Sequence, residues 1–267
     1  MTPEVSGPER RRRIAELLRS RPFSVEELTV RFAVSPSTIR RDLASLTGSR
    51  TIVRTYGGAA TITPHETSLR EREAIAAPQK QAIARLAAGF VGDGARVILD
   101  AGTTVAALAR NLVSVADLRV ITSSITAARV LEGSEQVEVV LLGGTLRHLS
   151  SATVGPLAEG VLRDLTVDAA FLGGDGLTAE RGIVEQDQQQ VSLKRRMIDA
   201  ARETFVLIDS SKLGRPGPGW WARLTPPWHL VTDAGAVEDD LRPFRSLPGV
   251  AVHVAEVESR DTPYAER

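Results

Sequence analysis

In the first sixty residues, apolar positions recur at helical spacing. Ile14, Leu17 and Leu18 fall on one face of a helix over about Glu9 to Arg19. A second helix opens at Ser24, where Ser24 and Glu27 have the spacing of a capping box, and its inward side reads Val25, Leu28 and Phe32. Past Ala33 and Val34, Ser35 can accept from the free amides of a new helix, while Pro36 takes the first helical position, where a missing N–H costs nothing. Ile39, Leu43 and Leu46 then form one apolar stripe, leaving Ser37, Arg41 and Ala44 opposite and Thr38 and Arg40 on the flanks. The stretch "SRTIVRTYGGA" that follows reads as a β-hairpin closed by glycines.

The rest of the chain changes period. Short, nearly continuous apolar runs recur at 95–100, 118–122, 137–144, 168–174, 204–209, 229–233 and 250–257, with helical patterns between most of them. Strands of that kind, alternating with helices, predict a mostly parallel sheet covered by helices on both faces. Two units follow: a small head over 1–60 and an α/β body over 79–267, joined by a linker over 61–78.

Charge separates the same two units. The chain of 267 residues has 33 basic and 33 acidic side chains. The first sixty residues nevertheless hold 11 Arg and no Lys against 6 acids, a surplus of five positive charges that the remainder balances. A basic head on an acidic body suggests a polyanionic partner for the head. With no cysteine and four scattered histidines (His65, His148, His229, His253), neither disulfides nor a metal site is expected. No stretch approaches the roughly 18 apolar residues that span a bilayer, so a cytoplasmic protein without membrane contact is expected.

The third helix of the head has the face that a helix-turn-helix unit needs. Small polar residues allow close approach to the major groove, and arginine reaches guanine edges or phosphates. The candidate DNA contacts are Ser35, Ser37, Thr38, Arg40 and Arg41, with Arg54 on the hairpin as a wing residue. In the body, "DAGTT" turns from the first strand into a helix, so Asp100, Gly102, Thr103 and Thr104 face the crevice at the strands' carboxyl ends, where ligands of such sheets bind. Thr122, Ser123 and Ser124 repeat the arrangement after the second strand. Two helix N-termini aimed at one crevice suit an anion. Lys212 follows another strand end, and Gly144 and Arg147 add a further loop.

"FAVSPSTIRRDLASL" followed by "IVRTYGGA" resembles the winged helix-turn-helix signature of DeoR-type transcriptional repressors, and the likeness runs through nearly the whole chain. The resemblance implies an all-α winged head and a body with the ribose-5-phosphate isomerase and CoA-transferase fold. It also implies that the body senses a phosphorylated sugar or related anion through Asp100 to Thr104, Thr122 to Ser124 and Lys212. Operator DNA and a homodimer or homotetramer follow from it, as do release of DNA by the effector and the absence of a cofactor.

Three stretches depart from the family pattern. Relatives often have Asn where this chain has Ser123, and a threonine near the position of Glu185, where a carboxylate repels an anion unless it bonds sugar hydroxyls. Trp220, Trp221 and Trp228 serve as pocket lining, as core or as subunit contacts. Asp100, Asp168, Asp175, Glu185 and Asp209 offer general bases for an isomerase, but "GGDGL" holds one acid and no glycine-rich lysine loop follows, so catalysis is not expected. The remaining alternative is a DNA-binding protein whose sensor has lost its ligand.

Overall fold

The structure, a computed structural model, describes residues 6–20, 23–48, 53–54, 59–61, 68–214 and 219–257. It divides into two compact units, Met1–Glu66 and Thr67–Arg267.

The first unit contains α1 (Gly7–Ser20), β1 (Phe23–Ser24), α2 (Val25–Phe32), α3 (Pro36–Gly48), β2 (Val53–Arg54) and β3 (Ala59–Thr61). Both halves of the expected capping box form: Glu27 N–H donates to Ser24 Oγ, and Ser24 N–H to the Glu27 carboxylate. Ala33 ends α2 in the left-handed region at φ 50°, which turns the chain toward Ser35, whose hydroxyl accepts from Thr38 N–H at 3.2 Å. Ile14, Phe23, Val25, Leu28, Ile39 and Leu43 make the core, with Leu17, Phe32 and Val34 packed against it. The side chains of Leu18, Leu46 and Arg54 lie outside the described residues. The hairpin strands pair antiparallel, and β1 joins them in the order β1-β3-β2, so the three helices close onto a small sheet.

The second unit runs α4 (Leu69–Ala74), α5 (Ala77–Ala88), β4 (Arg96–Leu99), α6 (Thr103–Asn111), β5 (Leu118–Thr122), α7 (Ile125–Leu131), β6 (Val137–Leu141), β7 (Thr145–Arg147), β8 (Ala152–Val154), α8 (Pro156–Arg163) and β9 (Val167–Leu172). It continues with β10 (Gly176–Thr178), β11 (Gly182–Glu185), α9 (Gln188–Ala200), β12 (Ala201–Leu207), a 3₁₀ turn (Ser210–Lys212), β13 (Trp220–Ala222), β14 (Trp228–Asp233), α10 (Glu238–Arg245) and β15 (Val250–Ala255). Each expected strand run supplies one strand of a seven-stranded sheet in the order β15-β14-β12-β9-β4-β5-β6. All six pairings are parallel.

Helices cover both faces, and two apolar clusters record it. One packs α8, α9 and α10 against one face through residues such as Leu162, Met197 and Phe244; the other packs α5, α6 and α7 against the opposite face through Ile83, Leu108 and Leu131. Residues 68–78, expected as linker, are folded into this unit. Ser68 caps α4 with the same reciprocal bonds that Ser24 makes, and Leu69 N–H donates to Leu149 O at 3.0 Å.

Candidate functional site

The face of α3 bears the residues expected to meet DNA. Ser35, Ser37, Arg40 and Arg41 are exposed and Thr38 is half-buried. The hydroxyls of Ser37 and Thr38 each lie 2.8 Å from Ser35 Oγ, which gathers three of the small polar groups at the helix start. The surplus of arginine in this unit is partly spent on folding. Arg10 and Arg11 pair with Asp42, which is 3% exposed on the inner side of α3, at 2.7 and 3.4 Å. Arg12 and Arg13 both reach Glu9. Arg40 and Arg41 are the exposed arginines on α3.

In the second unit, the carboxyl ends of β4 and β9 and the start of α6 open a cleft of about 410 Å³, counted out to open solvent. Its walls include Gly102, Thr103, Thr104, Ser150, Gly173 and Gly174, together with the longer side chains of Arg72, Glu185, Gln190 and Lys212. Gly102 caps α6 at φ 135°, a backbone conformation that a side chain resists, so the strand turns sharply and the first amides of α6 face the cleft. Lys212 is carried there by the 3₁₀ turn after β12; its ammonium donates to Gly174 O at 2.9 Å and lies 4.0 Å from Asp209.

Two more cations come from α4 and α5, the first of them in the stretch expected to be linker. Arg72 lines the cleft from α4, 3.4 Å from Asp175, and its Nε is buried with no partner among the described residues. Lys80, on α5, is 4% exposed and donates to Arg72 O at 2.6 Å. Burial, and then repulsion by Lys212 and Arg72, lowers the Lys80 pKa to about 8. Three cations are thus held near one another, with Asp175 beside Arg72 and Asp209 beside Lys212 as counter-charges.

Beneath the cleft lies a buried charge triad. Lys194, projecting from α9, donates to Asp100 and stands 3.0 Å from Glu185. Asp100 also accepts from Gly173 N–H at 3.1 Å. Burial, and then repulsion by Asp175 and Asp100, raises the Glu185 pKa to about 7 against the pull of Lys194. Burial acts to lower the Lys194 pKa, but Asp100 and Glu185 outweigh it and raise the value, so the lysine is charged.

The expected effector residues therefore part into two sets. Gly102, Thr103, Thr104 and Lys212 are brought together on the cleft. Asp100 lies behind it, as a partner of Lys194. Thr122, Ser123 and Ser124 are buried, and none is among the residues lining the cleft. The Thr122 hydroxyl donates to Leu99 O at 2.6 Å, and Ser124 caps α7 by accepting from Ala127 N–H at 3.1 Å. Ser123 Oγ is buried with no partner among the described residues.

Gly144 and Arg147 also lie off the lining. Gly144 is at φ 128°, and a Cβ there would meet Val154 O at 2.4 Å, so the backbone itself demands glycine. Arg147 is 3.5 Å from Asp187, the residue that caps α9. None of the three tryptophans lines the cleft. Trp228 packs edge-on to Phe244 in the core, Trp221 is buried beneath the Arg181 guanidinium, and Trp220 is half exposed.

Sequence reasoning missed Arg72, Lys80, Gln190 and Lys194. A charged residue at a core-facing position was the available signal for the two lysines: Lys80 is set among Ala82, Ile83 and Ala84, and Lys194 between Leu193 and Met197.

Comparison with known proteins agrees with this division. A family described as the DeoR-like helix-turn-helix domain matches residues 10–65, and one described as the DeoR C terminal sensor domain matches residues 75–234. An uncharacterized HTH-type transcriptional regulator of Bacillus subtilis, YulB, is 37% identical over 230 residues, covering 85% of this chain and 89% of the relative. The glycerol-3-phosphate regulon repressor of Escherichia coli K12 is 33% identical over 204 residues, covering 76% of this chain and 81% of the relative. Among solved structures, ribose 5-phosphate isomerase A of Methanocaldococcus jannaschii is similar at 22% identity and a TM-score of 0.37, over 50% of this chain and 52% of that one. A likeness at that score carries no catalytic role across.

Proposed function

Because this chain belongs to the DeoR family of helix-turn-helix transcriptional regulators, we propose that it represses a carbohydrate-utilisation operon and leaves its operator when a phosphorylated sugar or sugar-derived anion fills the cleft of its second unit. The observation that supports the ligand class is the convergence of Arg72 and Lys212 with the amino end of α6 on one cleft, with Lys80 bonded to Arg72 O behind them. The name of the glycerol-3-phosphate regulon repressor points to the same chemistry in a relative. The named relatives are regulators, and the chain is a regulator and not an enzyme.

DNA is read by α3, with Arg41 and Arg40 as the long contacts and Ser35, Ser37 and Thr38 as the close ones. A homodimer or homotetramer presents two such helices to repeated half-sites, and the protein works in the cytoplasm, where operator DNA is. The effector must bind the form that fits the operator poorly better than the form that fits it well, by about 1–3 kcal/mol. A sensor that has lost its ligand has no need of Arg72 and Lys212 on one cleft wall with Lys80 buried, its pKa lowered, beside them.

The test is DNA binding measured by fluorescence anisotropy on an operator selected from random sequence, titrated with phosphorylated sugars and with their unphosphorylated parents. Release that requires the phosphate, and that disappears in Lys212→Ala while DNA affinity without ligand is kept, supports the reading. Release by the parent sugars, or by no phosphate compound, overturns it.

A further inference from the structure

The anion reading accounts for Arg72, Lys80 and Lys212 but leaves Glu185 and Gln190, which line the same cleft, without a role. Gln190 is the third residue of α9. Its N–H is taken by the capping Asp187 at 3.0 Å, and its side chain is 8% exposed with an amide oxygen that has no partner among the described residues. A buried carbonyl oxygen left unpaired is costly and rare in folded proteins, and one on the wall of a binding cleft is satisfied most simply by a ligand.

Glu185 is the last residue of β11 and is held on its β13 side. Its strand pairs with β13 at Trp220, and Gly219 approaches so closely that a Cβ would stand 2.4 Å from Glu185 O. Its carboxylate faces Lys194, but Asp100 shares that ammonium, so two carboxylates are set against one cation. This wall accepts hydrogen bonds and disfavours further negative charge, and the phosphate therefore belongs with Arg72 and Lys212.

We propose that Glu185 and Gln190 form an accepting wall that selects, among anionic ligands, those that also carry a hydrogen-bond donor, hydroxyl or ammonium, on the part not held by the cations. The proposal rests on the phosphate reading above. It narrows the effector class to phosphorylated polyols, sugars or amino sugars, and excludes phosphorylated acids whose carboxylate would meet Glu185.

The experiment is isothermal titration of the full-length protein with inorganic phosphate, n-hexyl phosphate, glucitol 6-phosphate, glucosamine 6-phosphate and 6-phosphogluconate, repeated on Gln190→Met and Glu185→Gln. Either glucitol 6-phosphate or glucosamine 6-phosphate is expected to bind about tenfold or more tighter than n-hexyl phosphate, because a site built to pair with a donor rejects the analogue that lacks it. The tighter of the two identifies the donor as hydroxyl or ammonium, and 6-phosphogluconate is expected to bind more weakly than glucitol 6-phosphate.

Gln190→Met should erase most of that margin with inorganic phosphate bound as before. Glu185→Gln should improve 6-phosphogluconate relative to glucitol 6-phosphate, which a merely structural role would not do. If n-hexyl phosphate binds as tightly as the hydroxylated esters, or if Gln190→Met weakens all probes equally, the accepting wall is wrong and the phosphate reading stands. If no probe binds, the phosphate reading fails and this proposal falls with it.

Discussion

Lys194 Nζ stands 3.0 Å from Glu185 Oε1, with the two side chains 1% and 6% exposed, and it donates to Asp100 as well. Replacing Lys194 by Met keeps the aliphatic stem and removes the ammonium, so Asp100 and Glu185 are left in the interior without a counter-ion. Breaking a buried pair from one side costs about 3–5 kcal/mol. Urea unfolding of Lys194→Met should show a loss of that order. A loss under about 1 kcal/mol would mean that the carboxylates simply take up protons or water.

Glu185 also sets a pH dependence. Its pKa is raised by burial to about 7, from an ordinary value of 4.5. Between those two pH values the folded state holds more protons than the unfolded state, so this residue's contribution to stability falls as pH rises through the window and is level above it. Glu185→Gln removes the group. The difference in Tm between the parent and Glu185→Gln should therefore shift against the parent from pH 5 to pH 7 and level off by about pH 8. A difference that is flat across the whole range would place the Glu185 pKa near its ordinary value.

Lys80, lowered to about 8, makes ligand binding a proton-linked event. Below that value the lysine is charged beside Lys212 and Arg72, and above it an arriving anion restores its proton. Calorimetric titration with inorganic phosphate at pH 8, in two buffers of different ionisation enthalpy, should give different apparent heats corresponding to proton uptake. Lys80→Met should bring the two closer. Equal heats in the parent protein would remove Lys80 from the linkage.

Asp42 gives a test in which charge and fold oppose each other. Asp42→Ala makes the DNA-reading unit more basic, and long-range electrostatics alone would tighten its grip on DNA. The structure predicts the reverse: Arg10 and Arg11 lose the buried carboxylate that fastens α1 to α3, the unit loses about 3 kcal/mol, and DNA affinity drops. Thermal unfolding and anisotropy on the same sample decide it. Tighter binding without lost stability would show the pair to be dispensable.

Local signals carried much of the fold. The Ser24–Glu27 spacing, the Ser35-Pro36 start and the seven apolar runs act within a few residues, and each forms the element it announces. The cleft was legible only where one loop carried the chemistry by itself, at Gly102 to Thr104 and at Lys212. Thr122 to Ser124 have the same local pattern as "AGTT", but the Thr122 hydroxyl is taken by the neighbouring strand and that of Ser124 by the cap of α7, a competition that no local pattern reveals. Lys194 and Asp100 are far apart in the chain, and Arg72 reaches the cleft because the bond from Leu69 N–H to Leu149 O and the Arg72–Asp175 pair dock α4 onto the body. Such meetings depend on tertiary packing, which neither periodicity nor spacing records.

Helix α4 begins three residues after Glu66, where the DNA-reading unit ends, and it carries Arg72 into the cleft. The first described helix of the second unit is thus part of the cleft wall. Under the proposed function, a ligand held by Arg72 is bound only six residues along the chain from Glu66, and not across the seven strands. Effector response should accordingly tolerate substitutions in β15 or α10 that leave the fold intact, and be fragile to any that uncap α4.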